Sequence, residues 1–560
     1  MISILKSRKT LNWAGILVYL WNLSLGLVAL AIALPVLAVA SSILADKREV
    51  WQHLTETVLK DYILNTLWLM LGVGIGVTVI GVGCAWLVTM CDFWGVNWWQ
   101  WLLLMPLAAP AYLLAYSYTD MLEYYGPIQT WLRAIFGWES ARDYWFPSIR
   151  NLGGAIVMLT LVLYPYVYML ARVAFLEQSV CSIEASRSLG CNPWKSFFSV
   201  ALPLARPSIV AGLALALMET LNDFGTVQYF GVDTFTTGIY RTWINMRERV
   251  AAAQLAFCLM VFVLILIVLE RISRLQARYY QMGGVIKAYS RYHLNWWRGS
   301  LAFIACALPV ALGFFIPLVY LIYLTITWEE TWSENFWFIA QNSLFLALVT
   351  GFVAVVLSLI MAYGKRLFAN PFINTSTLIA SMGYAIPGSV IAVGILIPLG
   401  AVDNAISDWL EENFNVSVGL IFSGTVIALI YGYLVRFFAV SLNTVESSLS
   451  KIKPHLDEAS RSLGHNPLAT LLKIHLPLMR GGVLTAFLLV FVDVMKELPA
   501  TLVLRPFNFD TLAVRVFQYA SDERLADAAA PAIVIILVGL IPVCFLSYRI
   551  AKGREDYQQL

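Results

Sequence analysis

Twelve stretches of this 560-residue chain are each long and apolar enough to cross a bilayer, and that repetition limits the fold more than any other feature. A membrane helix takes about 20 predominantly apolar residues. Runs of this kind stand near 13–42, 62–90, 100–120, 151–176, 203–222 and 251–270, and again near 300–327, 342–363, 374–400, 418–442, 478–495 and 529–548. No water reaches the hydrocarbon core, so backbone groups must pair within the segment, and such runs are helices. The chain is 60% hydrophobic and 13% charged, with a mean hydropathy of +0.75, whereas soluble domains carry about 25% charged residues. The expected fold class is an all-α integral membrane protein of about 12 transmembrane helices. Lys6, Arg8 and Lys9 precede an apolar stretch that ends in Ala-Val-Ala at 38–40. That stretch is far longer than the roughly 7–15 residues of a signal core, so it reads as a retained first span.

The two sets of six are copies. Glu-Ala-Ser-Arg-Ser-Leu-Gly occurs at Glu184–Gly190 and again 274 positions later at Glu458–Gly464. From Glu184–Leu204 to Glu458–Leu478, 12 of 21 positions agree, including both Asn-Pro pairs and both Leu-Pro-Leu runs. At an offset of 277, Asn65-Thr66-Leu67 matches Asn342-Ser343-Leu344, and Pro110 matches Pro387. Each half holds an even number of spans, so both run the same way, as two parallel six-helix repeats with a pathway expected between them. The division is 1–270 for the first half, 271–299 for a linker and 300–560 for the second half.

Charge sets the expected orientation. Cytoplasmic loops are enriched in Lys and Arg. The linker carries Arg271, Arg274, Arg278, Lys287, Arg291 and Arg298, while Glu329, Glu330 and Glu334, and Asp403, Asp408, Glu411 and Glu412, lie on the opposite side. With the N-terminus inside, both termini and both copies of the motif are cytoplasmic. The basic linker is then a topology signal and calls for no nucleic acid; the partner of the spans is the lipid bilayer. Glycines and prolines inside the spans (Gly72, Gly76, Gly81, Pro106, Pro110, Pro387, Gly388) read as packing and kink positions, and Trp94, Trp98, Trp99 and Trp101 as interfacial anchors. The seven cysteines form no CxxC pair and suggest neither disulfides nor a zinc site.

The duplicated motif is polar in apolar surroundings. Glu184 and Arg187 are spaced for an i,i+3 pair. Gly190 suits the left-handed residue that ends a helix. Asn192 and Pro193 read as the N-cap and first residue of the next helix. Trp194, Phe197, Phe198, Ala201 and Leu202 follow at helical spacing, and Gly464, Asn466, Pro467, Leu468, Leu471, Leu472 and Leu476 repeat the plan. A mere connector would keep the apolar face, but it would not need identical Glu, Arg and Gly. The shared polar residues predict a surface that docks the same partner twice.

These residues resemble the Glu-Ala-Ala loop of ATP-binding-cassette importer permeases. Glu184, Ala185, Gly190, Leu202 and Pro203 fit its pattern, as do Glu458, Ala459, Gly464, Leu476 and Pro477. Ser186 and Ser460 stand where many members have a second Ala, a small-for-small change. The resemblance implies a type I importer-like permease in the bacterial plasma (inner) membrane. Glu184, Ala185, Gly190, Glu458, Ala459 and Gly464 would couple it to two copies of a cytoplasmic nucleotide-binding ATPase, and an extracytoplasmic binding protein would deliver the substrate. The chain has no GxxxxGK[ST] loop, so ATP and Mg belong to the partner and this chain binds no cofactor. No catalytic constellation is visible; the chain is a transport subunit and not an enzyme. His455, His465 and His475 read as solvent-exposed loop histidines. An ion-driven secondary transporter, which can also have parallel six-span halves, is the alternative machine.

The segments Met218–Thr226, Phe235–Tyr240, Lys496–Thr501 and Arg505–Leu512 resemble the ferric-iron branch of the family, and fused permeases for thiamine, polyamines, sulfate, molybdate and phosphonates share the general plan. Glu219 and Asp223 stand four apart on one helix face near the outer end of the fifth span, as Asp493 and Glu497 do in the eleventh. Intramembrane carboxylates should face protein or water, and oxygen ligands suit a hard cation. They are therefore candidate translocation-pathway residues, with local pairing, for example Asp493 with Lys496, as the alternative. No metal site is assigned.

Overall fold

The computed structural model describes residues 7–177, 188, 190, 192–275, 291–328, 335–368, 370–416 and 418–558. Among them, ten helices are long and apolar enough to cross a membrane, and two bent helix pairs raise the count to 12 if each pair is one span. The pairs are Val96–Ala108 with Ala111–Phe136, bent by 88°, and Pro467–Leu478 with Arg480–Met495, bent by 80°. They fall on the third and eleventh expected spans. The all-α expectation therefore holds, with sharp breaks within two of the expected spans.

Proline places two of the interruptions. Pro110 and Pro387 each sit in extended backbone (φ −62°, ψ 145° and φ −58°, ψ 142°) immediately before the helices Ala111–Leu122 and Gly388–Phe414. Proline lacks an N–H and clashes with the preceding turn, yet its fixed φ suits a helix start. The kinks expected from the sequence are thus complete breaks, and both copies make the same one.

Contacts divide the chain into two compact units. One comprises Met1–Asp46, Arg247–Phe257 and Trp337–Leu512. In it the opening helix Ser7–Ser41 packs on Pro371–Ala380 and Gly388–Phe414. Gly394 permits this approach, since a Cβ there would overlap the backbone carbonyl of Pro35. Gln254 closes the same unit by donating to the carbonyls of Ser42 and Ala45, each at 2.9 Å. A helix from the first sequence half therefore packs among second-half spans, so compact packing and duplication divide the chain differently.

The other unit comprises Lys47–Met246, Cys258–Phe336 and Ala513–Leu560. Its centre is the trio Leu59–Met90, Leu152–Glu177 and Leu202–Asn222. Gly81 sits against the fourth span so closely that a Cβ would lie 2.9 Å from Tyr168 N and 3.0 Å from Tyr164 O. Another face of the same helix exposes Leu67, Leu71, Ile75 and Val79 at four-residue intervals, the stripe a lipid-facing helix shows. The only strands among the described residues are Cys91–Asp92 and Tyr292–His293, paired in parallel. They fasten the end of the basic linker beside the second span, with His293 Nδ1 3.0 Å from Asp92 Oδ2.

Gly394→Leu is expected to part the first and ninth spans and destabilise the protein by about 1–3 kcal/mol. Gly400→Ala, where nothing lies within 4 Å of a new Cβ, should be neutral. Thermal unfolding of the two variants in detergent checks the contrast.

Candidate functional site

The second copy of the repeated motif is a compact helical hairpin. His455–Ser462 forms its first helix. Gly464 ends it in the left-handed region at φ +82°, where a Cβ would be strained. Asn466 then caps the next helix, accepting from Ala469 N at 2.7 Å, and Pro467 opens that helix. The first copy repeats each feature that is described. Gly190 has φ +80°, Asn192 Oδ1 accepts from Lys195 N at 2.8 Å, and Pro193 opens the next helix. Both copies then widen into a π-helical turn, Phe197–Ala201 and Leu471–His475. Pro203 and Pro477 explain it: each lacks an N–H and would crowd the carbonyl four residues back, so the helix takes in an extra residue there. Glu184 and Ala185 lie outside the described residues.

The hairpin presents a mixed polar and apolar surface. Glu458, Ala459, Arg461, Ser462 and Gly464 are exposed, and Leu463, a large apolar side chain, is 78% exposed. Among the described residues Glu458 does not pair with Arg461; its neighbour is the exposed His455, 3.4 Å away. The i,i+3 pairing expected of the motif is therefore not used in this copy, and both charges stay at the surface.

Beneath that surface the hairpin is clamped. Arg366, at the end of the eighth span, donates from Nε to Asp457 (2.8 Å), from Nη1 to the Leu449 carbonyl (2.8 Å) and from Nη2 to the Ile452 carbonyl (2.9 Å). It thereby caps the C-terminus of the tenth span with a cation, where the helix dipole favours one, and holds the start of the hairpin. His475 Nε2 lies 2.6 Å from the other Asp457 oxygen, and Tyr363 donates to the Pro467 carbonyl at 2.8 Å. His475 is fully buried, against the expectation of an exposed loop histidine: the π turn carries it inward, edge-on to the Tyr363 ring. Ser460 is no simple filler either, because its buried hydroxyl bonds that of Thr470 at 2.7 Å.

The first copy is backed by different chemistry. At the offset of 277, Tyr363 and Arg366 correspond to Trp86 and Thr89. Trp86 packs on Phe197 and Phe175, with centroids 4.8 and 5.5 Å apart. An aromatic cluster thus occupies the place of the charged clamp. Neither anchor is marked in the sequence: Lys365 and Arg366 follow an apolar run, where basic residues are common on the cytoplasmic side, and Asp457 stands just before the repeated residues.

The four carboxylates divide into two kinds. The fifth span ends at Asn222 and the eleventh at Met495, so Asp223 and Glu497 lie past the helix ends and do not share a face with Glu219 and Asp493 as expected. Asp223 caps the short helix Gly225–Tyr229, accepting from Thr226 N and Val227 N at 3.1 Å and from Thr226 Oγ1 at 2.9 Å. Glu497 is buried, accepts from Ala500 N at 3.0 Å and meets Arg436 Nη1 at 2.5 Å. Asp493 pairs with Lys496 at 3.0 Å, the local alternative, and Glu219 is half-buried. Nearby, Asn65 and Asn342 each donate to a backbone carbonyl 168 residues ahead, that of Asp233 (2.9 Å) and that of Asp510 (3.3 Å). Among the described residues no three His, Cys, Asp or Glu side chains gather as a metal site. Arg436 escaped sequence reading, although a lone basic residue inside a span is a signal in its own right.

Comparison with known proteins bears on both features. The model of a family described as the binding-protein-dependent transport system inner membrane component matches twice, at residues 77–278 and 354–553. The Fe(3+)-transport system permease protein FbpB 2 of Haemophilus influenzae is 25% identical over 491 residues, covering 87% of this chain and 89% of the relative. The ferric transport system permease protein FbpB of Actinobacillus pleuropneumoniae is 22% identical over 528 residues, covering 89% and 72%. The molybdenum transport system permease protein ModB of Escherichia coli K12 is 29% identical over 150 residues, covering 27% and 62%.

Removing the clamp should free the hairpin. Arg366→Gln leaves Asp457 without its guanidinium and is expected to cost the hairpin about 2 kcal/mol of local stability, or roughly thirtyfold more opening. Tryptic cleavage after Arg461 under native conditions should quicken accordingly, and an unchanged cleavage rate would refute the clamp.

Proposed function

Because the chain belongs to the binding-protein-dependent transport system inner membrane component family and carries its module twice, we propose that this single chain forms the membrane pathway of an ATP-driven importer that takes up ferric iron. The observation that carries the coupling part is the hairpin built twice on one plan, with Gly190 and Gly464 at matching positive φ, matching Asn caps and matching π turns. Two hairpins on one plan call for two copies of one partner, a nucleotide-binding ATPase that holds the ATP and Mg. Glu184, Ala185, Gly190, Glu458, Ala459 and Gly464 are assigned to its docking, on the cytoplasmic side together with both termini. An extracytoplasmic binding protein delivers the cargo.

The hairpin does its part by being stiff. When the two ATPase subunits close, the exposed Glu458, Arg461 and Leu463 follow them, and Arg366 ties that movement to the eighth and tenth spans through Asp457, Leu449 and Ile452. In the first half the aromatic contact of Trp86 with Phe197 carries the same displacement. The ferric assignment is supported by the two permeases named for iron that align along most of this chain, whereas the molybdenum permease aligns over 27% of it. Of the four carboxylates, Asp223 and Glu497 are committed to helix caps, so the pathway assignment is kept for Glu219 and Asp493.

Two experiments test this reading. The double variant Glu184→Arg/Glu458→Arg should reach the membrane, lose its co-purifying ATPase and lower uptake at least about a hundredfold, since each change puts a wrong charge in a docking cleft; full uptake would sink the coupling assignment. A deletion strain should grow poorly under iron limitation and normally under thiamine limitation. Unimpaired uptake of radiolabelled ferric iron by that strain would dispose of the iron assignment while leaving the importer reading in place.

A further inference from the structure

Three positions at which the halves differ meet at one point in the unit that contains residues 337–512. Arg436 is the one basic residue of the tenth-span helix Val426–Ser450. It is 4% exposed, and its Nη1 lies 2.5 Å from Oε2 of Glu497, itself 5% exposed. Glu497 also caps Pro499–Leu504 through Ala500 N. Tyr433, three residues before Arg436, shares a 2.7 Å hydrogen bond with Thr501 Oγ1. Gly388, the first residue of the ninth-span helix after its proline break, backs onto the pair: a Cβ there would stand 2.7 Å from both Arg436 Nη1 and Glu497 Oε1. The ninth span, the tenth span and the short helix after the eleventh thus converge on one ion pair.

The first half builds the same junction without it. The position 274 before Arg436 is Val162, and the position 274 before Glu497 is Asp223. The position 277 before Gly388, following the matching Pro110, is Ala111. Asp223 takes its bonds from Thr226 and Val227, and among the described residues no basic side chain pairs with it. The arginine, the longer carboxylate and the missing Cβ that makes room for them occur together in one half and are absent together in the other. Stability alone does not account for this. A buried ion pair roughly breaks even against apolar packing, and Val162 shows that apolar packing serves at this depth. Intramembrane charges are expensive and mark function.

Resting on the importer reading, we propose that Arg436 and Glu497 are a positioning pair. It holds the segment Pro499–Leu504 in register with the ninth and tenth spans through the transport cycle, and it acts on turnover, not on recognition of the cation. On this proposal Glu497 is not a cargo ligand, and the second half carries a fixed junction that the first half lacks.

The test uses the full chain reconstituted with its ATPase and binding protein. Arg436→Met/Glu497→Gln removes both charges, so neither is left buried alone. It should assemble normally, with the maximal rate of radiolabelled ferric iron uptake reduced about tenfold and KM for the loaded binding protein within about twofold of wild type. Gly388→Ala, which keeps both charges but crowds them, should show the same split, and Arg436→Lys should recover most of the rate. Hydrogen exchange of the amides in residues 500–504 reads positioning without any transport and should quicken at least about tenfold in the double variant. A wild-type uptake rate, a rise in KM at unchanged maximal rate, or unaltered exchange would each overturn the proposal. Loss of ATP-driven uptake in the wild-type assembly would instead count against the importer reading, and the exchange result would still decide the pair.

Discussion

A helix that stops inside a membrane leaves backbone groups that lipid cannot satisfy, and the features that distinguish this chain lie where such stops are repaired. The repairs are specific. Pro110 and Pro387 begin helices without needing an N–H partner. Asp223 and Glu497 bond the leading amides of the short helices that follow the fifth and eleventh spans. Asn65 and Asn342 satisfy carbonyls 168 residues away. Irregular backbone at membrane depth persists only where protein groups or water take up its hydrogen bonds, so these side chains are conditions for the breaks and not additions to them.

The repeated hairpin shows how one shape is held by two kinds of force. Its outer geometry depends on local chemistry, with glycine at positive φ, asparagine as a cap and proline to widen the turn. Its backing is tertiary. The second copy rests on a guanidinium that reaches one carboxylate and two carbonyls, and the first rests on edge-on and tilted aromatic contacts of Trp86 with Phe175 and Phe197. Charge-assisted hydrogen bonds are directional and fix an orientation. Ring contacts tolerate sliding more readily, because area burial has no preferred direction. The described backing of the two hairpins is therefore of different kinds, directional in the second copy and apolar in the first.

What could be read from the sequence follows the same division. The twelve apolar runs, the duplication and the Gly190/Gly464 and Asn192/Asn466 turn chemistry were legible because they depend on residue type and spacing alone. The break near residue 479 and the full extent of the one at Pro110 were not, since apolarity continues across them and hydropathy cannot see backbone direction. His475 read as a loop residue because the π turn that buries it depends on Pro477 acting on the preceding turn. Asp223 and Glu497 read as pathway carboxylates because helix ends are uncertain by a residue or two, and that margin separates a carboxylate on a helix face from one that caps the next helix. Arg366 could not be told from a topology signal without knowing which carbonyls lay within its reach.

Duplication also explains why the halves could come to differ. Once both lie on one chain they are inherited together, and a residue added to one half need not suit a second copy of itself. A symmetric Arg436–Glu497 pair would require glycine at Ala111, arginine at Val162 and a longer acid at Asp223, three changes in a core where Ala111 and Val162 are already buried. In the second half those three residues support one another: Gly388 gives the guanidinium its space, Arg436 neutralises Glu497, and Glu497 fixes the segment that Thr501 ties back to Tyr433. Each is unfavourable without the others, since an unpaired buried charge is strongly destabilising. A set of this kind persists as a unit, and it gives one half of a duplicated fold an ion-paired junction where the other half uses the Asp223 cap and the Thr236 hydroxyl on the Asp223 carbonyl.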